Sequence, residues 1–310
     1  FKQKTAYEIR LSLVGSEMCI RDSIRANLCA GAGLDPHTLS YGMSLDMVEW
    51  QDPYRLRLAF RGGLDLESTA RLAPGYVQGN LVILPAAFAG DFEAYCRANP
   101  KPCPILGISR AGQPSIDALG HDLDLRTDIA RYRVWRDGRV VAEPQDIVDL
   151  WQDHWVAFVL GCSYSFEQAL SEAGVRLKHW ERGENSPYYF TSLDTRPAGP
   201  FHGKLAVSMR ALSPADAIRA VEISARYPTV HGAPVHLGFP ELIGIHDLTR
   251  PDGGQPMEVA PGELPVFWAC GVTPESAIAN AKLPLCITHK PGAMVVTDLL
   301  NKSLERASAP

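Results

Sequence analysis

The apolar residues of this chain come in strand-length runs, and that spacing constrains its fold more than any other feature. The longest, at 155–160 and 266–270, are strand-sized, far short of the roughly 18 apolar residues of a membrane-spanning helix. Strands are predicted at 80–84, 105–108, 131–135, 139–142, 155–160, 175–180, 204–209, 265–269, 285–288 and 294–297. Helical segments lie between many of them, at 52–61, 85–99, 146–152, 166–173, 214–226 and 274–281. At 52–61, Leu56, Ala59 and Phe60 share a face, Pro53 suits a first turn and Gly62-Gly63 stops the helix. At 214–226, Ala217, Ile218, Val221 and Ala225 form the inward stripe.

Strands alternating with helices argue for an α/β layer architecture, a mixed sheet with flanking helices. Arg136-Asp137-Gly138 between two short runs is a hairpin signal, because Asp-Gly supplies the positive φ angles of a tight turn. The polar stretch 112–145 around it reads as a small inserted α+β hairpin subdomain. The main domain is then expected over 43–111 and 146–310.

The first residues do not share this grammar. Residues 1–23 resemble the translation of a sequencing adapter, a peptide that recurs at the ends of unrelated proteins. Apolar positions there are broken by Glu8, Arg10 and Glu17, which excludes a signal peptide. Residues 1–42 are therefore expected to be a non-native or disordered extension, with the natural start at Met43 or Met47.

Composition narrows the partners. Among 310 residues, 46% are hydrophobic and 21% charged, as in ordinary globular chains. Lys and Arg total 30 against 35 Asp and Glu, a net charge of −5, with no basic run. Neither nucleic acid nor an anionic membrane is an expected partner. The seven cysteines form no CxxC pair or zinc spacing, which points to a reducing compartment, with cytosol the default. No cofactor or metal is called for, and homo-oligomerisation is left open.

Two turns share one pattern. Val156-Ala-Phe-Val-Leu-Gly-Cys-Ser-Tyr-Ser-Phe-Glu167 and Val266-Phe-Trp-Ala-Cys-Gly-Val-Thr-Pro-Glu275 each run from an apolar strand through a Gly/Cys pair to a Ser or Thr opening a helix. Such a turn points backbone N–H groups outward and makes an anion site. Cys162, Ser163, Ser165, Cys270 and Thr273 are the candidates there. Neither turn is a nucleophile elbow, a GxGxxG or a P-loop.

Three loops carry histidine beside small residues, at His202, His231 and His289. A loop imidazole suits proton transfer near neutrality. The alternative is that each simply ties a turn together. His231 and His236 lack an evident third metal ligand, and His37, His121, His154, His179 and His246 read as ordinary. Arg196, in a Gly/Pro loop, suits a carboxylate clamp. Tyr76, Gln78 and Asn80, in the polar loop that precedes a strand, are candidate ligand contacts.

Taken together, the blocks at 73–85, 99–104, 125–134, 161–167, 196–203, 230–236 and 265–274 resemble the D-glutamate cyclase family, a family of hydro-lyases, over about residues 55 to 300. The resemblance implies a carbon–oxygen lyase that eliminates water, and for the named activity the closure of D-glutamate to 5-oxo-D-proline. The expected partner is a small carboxylate or amino-acid substrate. In that chemistry Arg196 would hold the α-carboxylate, and His202 or His231 would move the proton. The backbone around Cys162, Ser163 and Ser165 would steady the oxyanion. Glu167, in the helix's first turn, would act there or orient the cap, and Cys162 could instead serve as a nucleophile. A non-catalytic binding protein for a small carboxylate is the alternative reading.

Overall fold

The computed structural model describes residues 50–306. The expected extension 1–42 and start at Met43 or Met47 lie outside the described residues. Chain order begins with α1 (Pro53–Arg61), β1 (Tyr76–Pro85), α2 (Ala86–Ala98), β2 (Ile105–Ile108), β3 (Tyr132–Arg136), β4 (Arg139–Ala142) and β5 (Trp155–Gly161). It continues with α3 (Tyr164–Glu172), α4 (Lys178–Arg182), β6 (Tyr188–Asp194), β7 (Lys204–Leu212) and α5 (Pro214–Ala225). The last elements are β8 (His236–Leu237), β9 (Leu264–Ala269), α6 (Thr273–Ala281), β10 (Cys286–His289) and β11 (Val295–Leu300).

Local chemistry explains several helix ends. The Asp52 carboxylate accepts the Arg55 N–H at 2.8 Å and Pro53 opens α1. Ser213 does the same for Asp216 at 3.1 Å, ahead of Pro214 in α5. Both are N-caps that satisfy a donor the helix cannot.

The strands form two sheets. The larger runs β2-β5-β1-β10-β3-β4, with β11 also on β1, and the smaller runs β6-β7-β9-β8. The α/β layering follows the sequence pattern. Each named pairing among the described residues, however, is antiparallel. The helices carry the chain to non-adjacent strands or to the other sheet, so strand–helix alternation does not here build parallel neighbours. The Asp137-Gly138 hairpin forms, with both residues at positive φ. Its strand β3 bonds to β10 from Trp135↔Cys286 to Tyr132↔His289, so the hairpin is the rim of the larger sheet and not a separate layer.

Pleating sorts the core. In β1, Leu81 and Ile83 face one cluster with Leu125, Ile129, Tyr132 and Trp155. Val82 and Leu84 face α2 and α6 through Phe92, Tyr95, Phe158 and Ile278. On the smaller sheet, Trp268 and Leu212 meet α3 and α5, while Phe267 and Met209 face Ile243 and Met257.

Three local expectations fail. The inward stripe of α5 is Ala217, Ala220, Ile223 and Ser224, while Ile218 is 63% exposed and Ala225 also faces out, because the helix is rotated by its packing on α3 and β9. The strand expected at 175–180 is instead an irregular stretch followed by α4, ended by Gly183 in the left-handed region. His179 and Trp180 both reach one carboxylate, Glu167, whereas a strand would send neighbouring side chains to opposite faces. The helix at 146–152 is only a 3-10 turn, Val148–Leu150. Strand β6, with its alternating buried and exposed residues, and short β8 went unread. Among the described residues no helix is long and apolar enough to cross a membrane, and the cysteines Cys96, Cys103, Cys162, Cys270 and Cys286 are all free.

Candidate active site

The site grows from a fork in the larger sheet. One side of β1 pairs with β5 along its length, from Gly79↔Gly161 to Pro85↔Trp155. On its other side the C-terminal half pairs with β10 and the N-terminal half with β11. Where the two partners part, His289 fills the gap. Its Nδ1 lies 3.1 Å from the Leu81 nitrogen and 3.4 Å from the Leu81 oxygen. The N–H at the shorter distance needs an acceptor, so Nδ1 is the unprotonated nitrogen and the neutral ring carries its proton on Nε2. Burial pulls the His289 pKa down to about 4.

The strand β5 delivers the first of the two shared-pattern turns to the same place, and β9 delivers the second. The backbone of Tyr164 favours the Cys162 thiolate and that of Val272 the Cys270 thiolate, but burial outweighs both. Burial pushes the Cys162 thiol up to about 12 and the Cys270 thiol up to about 11. Both are therefore thiols at neutral pH, which disfavours Cys162 as a nucleophile, since the thiolate is the reactive form. The α3 and α6 N-termini both meet the cleft through Ser163, Tyr164, Gly271 and Val272.

The third contribution is the loop after α5. His231 sits at φ 83°, and its Nδ1 lies 2.7 Å from the carbonyl of Lys101. A carbonyl only accepts, so Nδ1 carries the proton and Nε2 keeps the lone pair. Burial holds the His231 pKa at about 4, outweighing that carbonyl, which favours the charged ring; the nearby Arg210 charge also lowers it. The Lys101 ammonium ties down the same loop through the carbonyls of Ala233 and, at 3.5 Å, His231. The proline-rich run 99–104 thus acts as a clamp: Pro104 also accepts the Gly161 N–H at 2.8 Å.

These parts enclose a cleft of about 80 Å³ that opens to solvent, smaller than the usual small-molecule site of roughly 300–1,000 Å³. Asn80, Cys162, Ser163, His231, Cys270 and His289 line it. Asn80 is pinned by donating to the Gly161 carbonyl at 2.8 Å. Residue 271 must be glycine for this wall, because a Cβ there would come closer than 3.0 Å to the Asn80 amide. Tyr164, Asn185, Tyr188 and Ser208 complete the polar lining. The Asn185 Oδ1 accepts from Tyr164 at 3.1 Å and from Ser68 at 2.8 Å.

Beneath the wall lies a buried ion pair. Glu167 is 0% exposed and accepts from His179 Nε2 at 3.1 Å, Trp180 Nε1 at 3.0 Å and Arg210 Nε at 3.0 Å, with Arg210 Nη2 closer still. Burial alone would raise its pKa, but Arg210 and His179 hold it well below the usual carboxylate range. Arg210 lies against the rings of Phe166 and Trp268, at 5.9 and 5.3 Å. Its Nη2 also donates to Ser163, and its Nη1 to Ser208.

The remaining candidates sit elsewhere. Glu167, Ser165, Gln78 and Thr273 are buried behind the wall. Gln78 is spent on Thr69 and Leu72, Ser165 accepts the Gln78 N–H, and Thr273 bridges Ala206 and Cys270. Tyr76 packs with Leu64 and Leu72 near α1. Arg196 and His202 are exposed on the β6–β7 loop, away from the cleft. That loop is drawn onto α2 by Phe201, buried against Phe92 and Tyr95, and by Asn99 bonding both ways to the Arg196 backbone at 2.8 Å. His236, half-buried, is bonded to the carbonyl of Phe239 at 3.0 Å. Among the described residues no group of three or more His, Cys, Asp or Glu is arranged to hold a metal ion.

Ser208 and Arg210 escaped the sequence reading, although a signal existed. They stand two apart in the otherwise apolar 205–212 run and therefore share a face of a buried strand. A charge placed there demands a partner.

Residues 156–298 match the family model described as D-glutamate cyclase. The chain is 58% identical over 251 residues to a protein of Bordetella petrii, covering 81% of this chain and 95% of that one. It is 57% identical over 265 residues to one of Bradyrhizobium diazoefficiens, covering 84% and 97%, and 56% identical over 253 residues to one of Verminephrobacter eiseniae, covering 82% and 92%. All three carry the name "Putative hydro-lyase". With that identity over nearly the whole length of each relative, this chain belongs to the D-glutamate cyclase family.

Proposed function

We propose that the cleft eliminates water from a small amino acid, with D-glutamate closing to 5-oxo-D-proline as the reaction. The observation that carries the reading is the pair of neutral imidazoles with opposite tautomers lining one cleft. His231 offers a lone pair at Nε2 and His289 offers a proton at Nε2. One is a base and the other a donor, which is what acid–base catalysis of an elimination needs.

The atoms balance without outside help. The amine nitrogen attacks the γ-carboxyl carbon, a C–N bond forms, and a C–O bond breaks. The ammonium loses two protons, and both end on the departing oxygen as water. His231 takes protons from nitrogen and returns them, while His289 hydrogen-bonds the γ-oxygen. Backbone N–H groups at the two helix N-termini favour the negative charge that builds on that oxygen. Arg196 and His202, exposed on another loop, have no part in this version.

The test is incubation of the purified chain with D-glutamate, following 5-oxo-D-proline by NMR, beside His231→Gln. The wild type is expected to convert the substrate. The variant is expected to bind it with unchanged affinity and turn over at least about 100-fold more slowly. Substrate binding with no wild-type conversion would overturn the lyase reading in favour of a carboxylate-binding protein.

A further inference from the structure

We infer that the Ser163 and Ser208 hydroxyls form a carboxylate subsite in the cleft, set up as donors by Arg210 behind them, and that it receives the substrate's α-carboxylate. The assignment of the α-carboxylate rests on the lyase reading above; the carboxylate subsite itself does not.

The argument starts from what a guanidinium is able to do. Arg210 is 1% exposed and has only donors. Its Nη2 donates to Ser163 Oγ at 3.0 Å and its Nη1 to Ser208 Oγ at 2.5 Å. Each serine oxygen is thus held as an acceptor on its Arg210 side, and its own proton must point elsewhere. Among the described residues neither hydroxyl proton has a protein acceptor. Both serines line the cleft, so the cleft is where those protons find partners.

Charge supports the same direction. Glu167 occupies the Nε edge of Arg210 and lies behind it, while the two serines stand between Arg210 and the cleft. On the cleft wall the Arg210 charge is felt at His231 and outweighs Glu167 at Cys270, while Glu167 outweighs it at Cys162. Phe166 and Trp268 pack against the guanidinium from one side. The α3 N-terminus, at Ser163, adds its own positive end. Two hydroxyl donors with positive charge behind them suit an acceptor-only group such as a carboxylate. They disfavour a carboxamide, whose NH₂ would oppose a donor.

The test measures binding of 5-oxo-D-proline, glutarate and D-lactate, and of 5-oxo-D-prolinamide, by titration calorimetry to the intact wild-type chain and to Ser163→Ala, Ser208→Ala and the double variant. Circular dichroism confirms the fold of each. The wild type is expected to bind at least one carboxylate, and 5-oxo-D-proline about tenfold or more tighter than its amide. Each serine removed is expected to weaken carboxylate binding about tenfold, leave the amide unchanged, and so erase the preference in the double variant. Arg210→Lys, which keeps the charge but loses the fork, is expected to fall between. Retention of the preference in the double variant overturns the inference, as does a wild type that binds no carboxylate or does not discriminate. Serine-dependent discrimination without D-glutamate conversion would leave the subsite standing and remove the lyase reading. Full kcat/KM in the double variant would do the reverse.

Discussion

Replacing Glu167 by Gln removes one charge from the centre of the molecule and leaves its shape. The carboxylate takes four donors on two oxygens: His179, Trp180 and two nitrogens of Arg210. Three of them reach Oε1 and only Trp180 reaches Oε2. A glutamine that keeps its oxygen at the Oε1 position turns its NH₂ towards the Trp180 donor and loses that hydrogen bond. Arg210, 1% exposed, is left without a counter-ion. Breaking a buried pair from one side costs about 3–5 kcal/mol, and at roughly 2–4 °C per kcal/mol for a large domain this lowers Tm by about 6–20 °C. Urea denaturation and a thermal melt at pH 7 measure it. Glu167→Leu combined with Arg210→Met removes both charges, and is expected to regain at least half of that loss, since no orphan charge remains. The pair also carries a pH signature. Its carboxyl is held low in the folded state, so its stabilisation is complete above the ordinary Glu pKa of about 4.3 and fades as pH falls through the depressed folded value. A Glu167→Gln loss below about 1 kcal/mol, within the range of surface substitutions, would refute the burial and pairing of this carboxylate.

Four further outcomes follow from the cleft. His231, with its pKa near 4, stays a free base well into acid. The acid limb of the D-glutamate kcat profile is expected below pH 5, and a limb at an ordinary histidine value near 6.5 would contradict its burial. The same shift makes His231 and His289 each destabilising in acid: the unfolded rings bind protons first, so stability rises with pH between about 4 and 6.5, by about 3 kcal/mol per ring. Denaturant titrations at pH 4.5 and 7 read this slope, and a flat profile would contradict it. Cys162→Ser is expected to retain turnover within about threefold, because a thiol pushed up to about 12 supplies negligible thiolate; abolished turnover in a folded variant would restore the nucleophile. Gly271→Ala is expected to drive the Asn80 amide from its bond to Gly161, weakening D-glutamate binding about tenfold or more and costing about 1–3 kcal/mol. Unchanged affinity would mean that Asn80 does not shape the wall.

What could be read from the sequence was what neighbours in the chain decide among themselves. The proline-opened starts of α1 and α5, the Asp137-Gly138 hairpin, the α1 stripe and the two Gly/Cys turns depend on backbone geometry over a few residues, and the structure contains them, whereas the α5 stripe is set by what the helix packs on. Cys162, Ser163, Asn80, His231, Cys270 and His289 were candidates on chemistry alone, and they meet on one cleft. Choosing among equally suitable loops was beyond local chemistry. His202 and His231 look alike as Gly-flanked loop histidines, yet Phe201 carries the first onto α2 and the Lys101 carbonyl seats the second at the cleft. The tautomers of His231 and His289 depend on backbone groups 130 and 208 residues away. Glu167 looks like a helix-capping residue until Arg210, 43 positions later, is folded against it. Periodicity reports which face of an element is apolar. Strand register and sheet order decide what that face meets, because the energy that selects them comes from burial and polar satisfaction between segments far apart in the chain.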